Sequence, residues 1–332
     1  METFLEKTLS FKDIKILPLA GDASNRKYYR IVHAGESWVL MKWEPFNPEE
    51  YPFLSVLQHF AKNGVQVPKV VGMSPEDGLV LLEDLGDLTL ERRFWENQNQ
   101  ETVSFFYKMA LDEIVKIHGR ATQNKSNCSA FGIQFDTEKL LWELNYGKDN
   151  LIIGVLKADF TPKVQDELQK IFLNICETLH KEPKVICHRD YHSRNLMIKL
   201  DKMFVIDFQD ARMGPIQYDL VSLFRDSYVE LEDETVSQLM DYYLDQSKEF
   251  LPKNFSRDHF DRIYELQSLQ RCFKACGSFA SFYHQRGDKR YLKYLTPTLK
   301  RVIKCLSQFP QYKLFSDILN DSGALEKQFE TL

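Results

Sequence analysis

His188-Arg189-Asp190 is followed by Asn195 and, twelve residues further on, by Asp207 at the end of the apolar run Phe204-Val205-Ile206. Residues 196–199 and 203–206 have the alternation of two short strands, and pairing them as a hairpin brings Asn195 and Asp207 to one edge. A second apolar run, Lys184–Cys187, leads into the Asp190 segment. Asp and Asn are common in turns because their side chains bond the local backbone, so a lone strand-end Asp means little. Three such groups in fixed order behind two apolar runs are a stronger constraint. Their chemistry is complementary: Asp190 can take the proton of a hydroxyl, and Asn195 and Asp207 offer oxygen ligands to Mg2+.

The order H-R-D-x-x-x-x-N, then a strand ending in Asp, is that of protein-kinase-like phosphotransferases. On that pattern Asp190 is the catalytic base, and Asn195 and Asp207 hold magnesium against the phosphates of ATP. Lys42 ends the apolar run Trp38-Val39-Leu40-Met41 on an expected strand, where a lysine neutralises nucleotide phosphates. Burial in that strand is the expectation, since a buried lysine needs a partner; the alternative is a strand-edge lysine pointing to solvent. Glu49 and Glu50 are the nearby acids, either as partners of Lys42 or as favourable charges at a helix start. The loop Gly21–Lys27 has one glycine, so Ser24 and Asn25 are named as nucleotide-binding donors, with Arg26 and Lys27 adding positive charge. A polar hairpin turn would have the same composition.

The first 90 residues alternate as strands (14–20, 28–33, 37–43, 67–73 and 79–83) with one helix opening near Pro48 and closing at Asn63-Gly64. Beyond Glu83-Asp84-Leu85-Gly86-Asp87 the pattern is helical over 101–117, 137–150, 161–180, 215–228, 234–250, 257–285 and 289–308. The expected fold class is α+β, two-lobed and protein-kinase-like. Residues 1–86 form an N-terminal nucleotide-binding lobe with hinge, a small antiparallel sheet with one helix. Residues 87–332 form a helical C-terminal lobe carrying the catalytic hairpin and the acceptor site.

A formal charge of −5 gives no electrostatic case for nucleic acid. No apolar run reaches the roughly 18 residues of a membrane span, and the first residues lack the basic-then-apolar pattern of a signal peptide. The six cysteines form no C-x-x-C pair and read as buried apolar residues in a reducing compartment. The expectation is a cytoplasmic protein acting on a small molecule, with no obligate protein partner.

The runs His188–Asn195 and Ile206–Ala211, with Gly214-Pro215-Ile216-Gln217-Tyr218-Asp219-Leu220 after them, resemble the aminoglycoside phosphotransferase superfamily. Within it the chain most resembles bacterial anomeric kinases of N-acetylmuramate and N-acetylglucosamine. Gly21–Ser24, Leu82–Asp87, Leu223–Tyr228 and the stretch from Gln270-Arg271 to Arg290-Tyr291-Leu292 carry that likeness too. The resemblance implies ATP and Mg2+ as cofactors and transfer to the anomeric hydroxyl of an amino sugar in cell-wall recycling. It places Asp190, Asn195, Asp207 and Lys42 as above and adds Glu83, in the hinge, to the nucleotide contacts. Arg194, Asp226 and Arg271 are acceptor-side candidates: Arg194 either contacts the acceptor or braces the loop, and Asp226 either binds sugar hydroxyls or acts as scaffold. Asp219 is expected to brace the loop.

From Leu266 to Leu306 nine basic residues face one acid, Asp288, which disfavours a polycationic acceptor and suits a carboxylated sugar. A kinase for choline or an aminoglycoside and a nucleotide-binding pseudokinase scaffold are the competing readings. The full set of Lys42, Asp190, Asn195 and Asp207 speaks against the scaffold.

Overall fold

The computed structural model describes residues 1–19 and 26–332. Ser24 and Asn25 lie outside the described residues. The chain divides into two compact units, Met1–Ala130 with Arg194–Ala211, and Phe131–Ser193 with Arg212–Leu332. The division expected at residue 86 falls inside the first of these.

The first unit is built on a five-stranded antiparallel sheet. Its strands are β1 (Lys15–Leu19), β2 (Lys27–His33), β3 (Glu36–Lys42), β4 (Val70–Ser74) and β5 (Leu79–Glu83), in the order β1-β2-β3-β5-β4. Ile31, Leu40, Leu79 and Leu81 share a buried cluster with Leu5. Leu5 comes from helix α1 (Glu2–Leu9), which had no sequence counterpart: a single turn-spaced anchor in eight residues is too weak a periodicity to read. Helix α2 (Pro52–Lys62) begins at Pro52, where a missing N–H costs nothing, and not at Pro48. Glu49 and Glu50 therefore precede the helix. Gly64, at φ +82, ends it as expected. Helices α3 (Leu90–Glu96) and α4 (Gln100–Lys116) complete the contiguous part.

The hairpin Leu196–Lys199/Lys202–Val205 belongs to this unit and not with the helical half. The Ile198 N–H donates to the Leu88 carbonyl at 2.8 Å, and the Val205 N–H to the Gln66 carbonyl at 2.8 Å. Met197, Phe204 and Ile206 pack on Leu85. Arg30 of β2 fixes the segment around Leu85, bonding Asp84 at 2.7 Å and Asp87 at 2.8 Å.

The second unit contains α5 (Thr137–Gly147), α6 (Pro162–His180), α7 (Gln217–Phe224), α8 (Asp233–Gln246), α9 (Arg257–Arg286), α10 (Leu295–Leu306) and α11 (Lys313–Asp321). A strand pair in it joins Lys184–Cys187 to Arg212–Pro215, with Cys187 opposite Arg212. The 30-residue α9 is its axis, in contact with α5, α6, α7 and α10. Ser256 caps its start through the His259 N–H, and Gly287, at φ +67, ends it. Phe273 of α9 meets Phe172 of α6 and Phe315 of α11 in an aromatic cluster, with ring centroids 6.0 and 4.8 Å away. All six thiols are buried, and among the described residues no helix is long and apolar enough to cross a membrane.

Helices α5 and α9 approach at Gly147 and Gly277. A Cβ on Gly277 would lie 2.5 Å from the Gly147 Cα, so only a hydrogen fits. Gly277→Ala should accordingly force the helices apart and cost about 1–3 kcal/mol of stability. Urea unfolding of this variant measures the loss; an unchanged midpoint would show that the crossing relaxes freely.

Candidate active site

In the second unit, Lys184–Cys187 delivers the chain into the His188–Ser193 loop, and two buried carboxylates hold that loop. Asp219, at the start of α7, accepts the His188 N–H at 2.6 Å and the Arg189 N–H at 2.9 Å. Arg189 has φ +84, a conformation that costs a non-glycine residue about 1–3 kcal/mol and persists only when its surroundings impose it. Asp226, 2% exposed, accepts the Ser193 N–H at 2.9 Å, the Ser193 hydroxyl at 2.5 Å and the Tyr228 N–H at 2.9 Å. Bracing is thus the role the contacts give Asp226, and a sugar-binding role does not fit a side chain so enclosed.

Asp190 is held in this loop with its side chain 32% exposed. Burial alone would raise its pKa, but Lys274, Arg189 and Arg271 outweigh that effect and hold the carboxyl well below the usual carboxylate range. The Arg271 guanidinium lies 3.9 Å from Asp190, donates to the Ser222 hydroxyl and sits over the Tyr218 ring at 5.7 Å. Arg271 was an acceptor candidate; its observed contacts are with Asp190 and the α7 scaffold. Burial pushes the neighbouring His192 below its ordinary pKa despite Asp226 and Asp190. Its ring meets Tyr228 edge-on.

The first unit holds the other oxygen donors. A short 3-10 turn, Ser193–Asn195, leads Asn195 into the hairpin, and its amide lies 3.4 Å from the Asp207 carboxylate. The Ile206 N–H donates to the Asn195 carbonyl at 3.1 Å, which ties the two residues across the base of the hairpin. Asp207 itself has φ +63, and its second oxygen accepts from the Gln209 side chain at 2.7 Å. Gln209 was not singled out in the sequence, although its position two residues beyond the strand-end Asp is the available signal. Lys42 ends β3 with an exposed side chain, so the expectation of burial is corrected: the strand's last residue projects beyond the sheet core. Among the described residues it has no ion pair, and Glu49 and Glu50 do not provide one.

Two further candidates are committed elsewhere. Arg194 forms a two-pronged bond to Glu91 at the start of α3, both contacts 2.9 Å, which favours loop bracing over acceptor contact. The Glu83 carboxylate pairs with Lys199 of the hairpin at 2.8 Å, a scaffold contact and not a free ligand. Neither partner was legible beforehand, because ion pairs between residues over a hundred positions apart leave no local pattern.

Residues 15–253 match the phosphotransferase enzyme family, and the chain belongs to it. It is a phosphotransferase with an alcohol group as acceptor. Its relatives include the N-acetylmuramate/N-acetylglucosamine kinase of Neisseria meningitidis serogroup B, 31% identical over 97% of this chain and 96% of the relative. The kinase of the same name from Pseudomonas putida is 30% identical over 82% of this chain and 78% of that protein. Among solved structures, choline kinase LicA from Streptococcus pneumoniae has a TM-score of 0.60 at 15% identity, covering 93% of this chain and 99% of that one. The gentamicin complex of APH(2")-IIa has a TM-score of 0.58 at 16% identity, covering 94% and 96%. At these identities the solved structures speak for a protein-kinase-like fold alone.

The low pKa of Asp190 means that the carboxylate persists to more acid pH than an unperturbed Asp, and its contribution is lost only as pH falls through the depressed value. Arg271→Met removes one of the cations responsible, so the Asp190 pKa should rise. The acid limb of a kcat/KM profile should move to higher pH. A limb that stays where the unaltered enzyme has it would show that Arg271 does not set this charge.

Proposed function

We propose that this chain is an ATP-dependent kinase that phosphorylates the anomeric hydroxyl of N-acetylmuramate or N-acetylglucosamine, yielding the sugar 1-phosphate, in the cytoplasmic recycling of cell-wall sugars. The observation that carries the reading is Asp190, a carboxylate kept ionised by three cations on a loop pinned by Asp219 and Asp226. The names of relatives identical at about a third of positions supply the acceptor class.

In this reading the Asp190 carboxylate orients the anomeric hydroxyl and takes its proton as the oxygen attacks. A preset ion needs no reorganisation when it does so. Asn195 and Asp207 would hold magnesium. They bring carbonyl and carboxylate oxygens, the donors a hard cation prefers, and already stand 3.4 Å apart with Gln209 orienting Asp207. Rotation of the Asn195 amide turns its oxygen toward the same point. When bound, magnesium-ATP supplies the phosphoryl group and neutralises charge developing on it. Lys42, exposed at the end of β3, offers its ammonium to the nucleotide phosphates.

The direct test incubates the protein with magnesium-ATP and N-acetylmuramate, N-acetylglucosamine, choline or kanamycin, with phosphorus NMR of the products. An anomeric sugar phosphate is expected; transfer confined to choline or kanamycin would overturn the acceptor. Asp190→Asn should lower turnover by about 10²–10⁴ while nucleotide affinity is retained. Asp207→Ala should weaken magnesium-dependent nucleotide binding in calorimetry, and undiminished binding would remove it from the metal site.

A further inference from the structure

Five cations of the second unit lie within electrostatic range of Asp190 or of one another: Lys139, Arg189, Arg212, Arg271 and Lys274. The acids acting on this group include Asp190, Glu143 and Asp226. Glu143 is fully buried, with one oxygen accepting the Gln270 side-chain N–H at 3.0 Å. Arg271 is engaged by Asp190 and Ser222, and Arg212 stacks on Phe135 at 5.2 Å. Lys139 and Lys274 differ from these. Among the described residues neither has a carboxylate within ion-pair distance, yet both are partly buried.

Lys139 is held in another way. Its ammonium lies 3.9 Å above the Trp142 ring, and Trp142 is itself stacked on Tyr146 at 5.2 Å. An aromatic face positions a cation without cancelling its formal charge. Burial lowers the Lys139 pKa, Glu143 opposes that, and Arg189, Arg212 and Lys274 depress it further. Such mutual repulsion is relieved by an anion that enters from outside the chain. The Glu143–Gln270 bond and the Gly147–Gly277 approach fix α5 against α9, and thus the helices that carry Lys139 and Lys274.

We infer that Lys139 and Lys274 are specificity-determining residues that recognise a carboxylate on the acceptor, and so favour N-acetylmuramate, with its lactyl carboxylate, over N-acetylglucosamine. This rests on the amino-sugar reading above. The two sugars share the reacting hydroxyl and the acetamido group, so a cation pair that reads the lactyl group alters one and spares the other. Nucleotide phosphates are the other source of negative charge, and recognition of those would affect both sugars alike.

The experiment measures kcat/KM for each sugar, and KM for ATP, in Lys139→Met, Lys274→Met and the double variant. Taking the ratio of the two sugars cancels any shared effect of Lys274 on Asp190. The N-acetylmuramate to N-acetylglucosamine ratio should fall at least about tenfold in each single variant, through KM for N-acetylmuramate, and further in the double. Lys139→Arg and Lys274→Arg should restore most of it, since the charge is kept. A ratio within about twofold of the unaltered enzyme overturns the assignment. So does a raised KM for ATP with equal losses on both sugars, which would give the cations to the nucleotide. Failure of the unaltered protein to phosphorylate either sugar overturns the amino-sugar reading, and this assignment with it.

Discussion

The carboxylate of Asp219 accepting two consecutive backbone N–H groups is the contact on which the shape of the 188–193 loop depends. Those donors belong to His188 and Arg189, and the second is in a backbone conformation that an arginine adopts only under constraint. A buried acceptor with two charge-assisted bonds supplies that constraint. Asp226 does the same three residues past Asp190, through Ser193. Asp190 is therefore presented by a short loop anchored at both ends. Its side chain has only to be held ionised, which the cations of α9 and the loop do.

Anchoring and charge are supplied by different helices. The loop's anchors come from α7 and the turn after it, whereas Arg271 and Lys274 come from α9, one helical turn apart. The position of α9 is fixed by close glycine contact with α5 and by the Glu143–Gln270 bond. Core packing and site electrostatics are thereby coupled: a change that separates α5 from α9 alters the field at Asp190 without touching the loop.

Much of this was legible in the sequence where the determinant is local. The alternation in 28–33 and 79–83, the Asn63-Gly64 stop and the hairpin after Asn195 each follow from neighbouring residues, and the structure places them within a residue or two. Helix α10 begins at Leu295 and not Lys289, since Leu292–Tyr294 is a 3-10 turn and Pro297 suits a first helical turn. Long-range determinants were not legible. The commitment of Arg194 to Glu91 and of Glu83 to Lys199, and the exposure of Lys42 at its strand's end, depend on which distant elements meet. Lys139 and Glu143 passed as ordinary members of an amphipathic helix, because spacing on α5 says nothing of what α9 brings opposite.

The strand pair Lys184–Cys187/Arg212–Pro215 has one further consequence, for how the protein is made. Cys187 and Arg212 face each other, so the chain leaves the second unit and returns at the same point, and the 194–211 excursion in between completes the first. A ribosome that has released the first 130 residues has thus released an unfinished body, whose hairpin follows only after α5 and α6 have been synthesised. Its hydrogen bonds to Gln66 and Leu88 are among the last that body can form, and their sequence separation makes them slow ones. The first unit is complete in sequence once residue 211 has emerged, while the second still awaits Arg212–Leu332. No single cut separates the two, because a fragment ending at residue 211 holds the whole first unit and also carries residues 131–193 of the second.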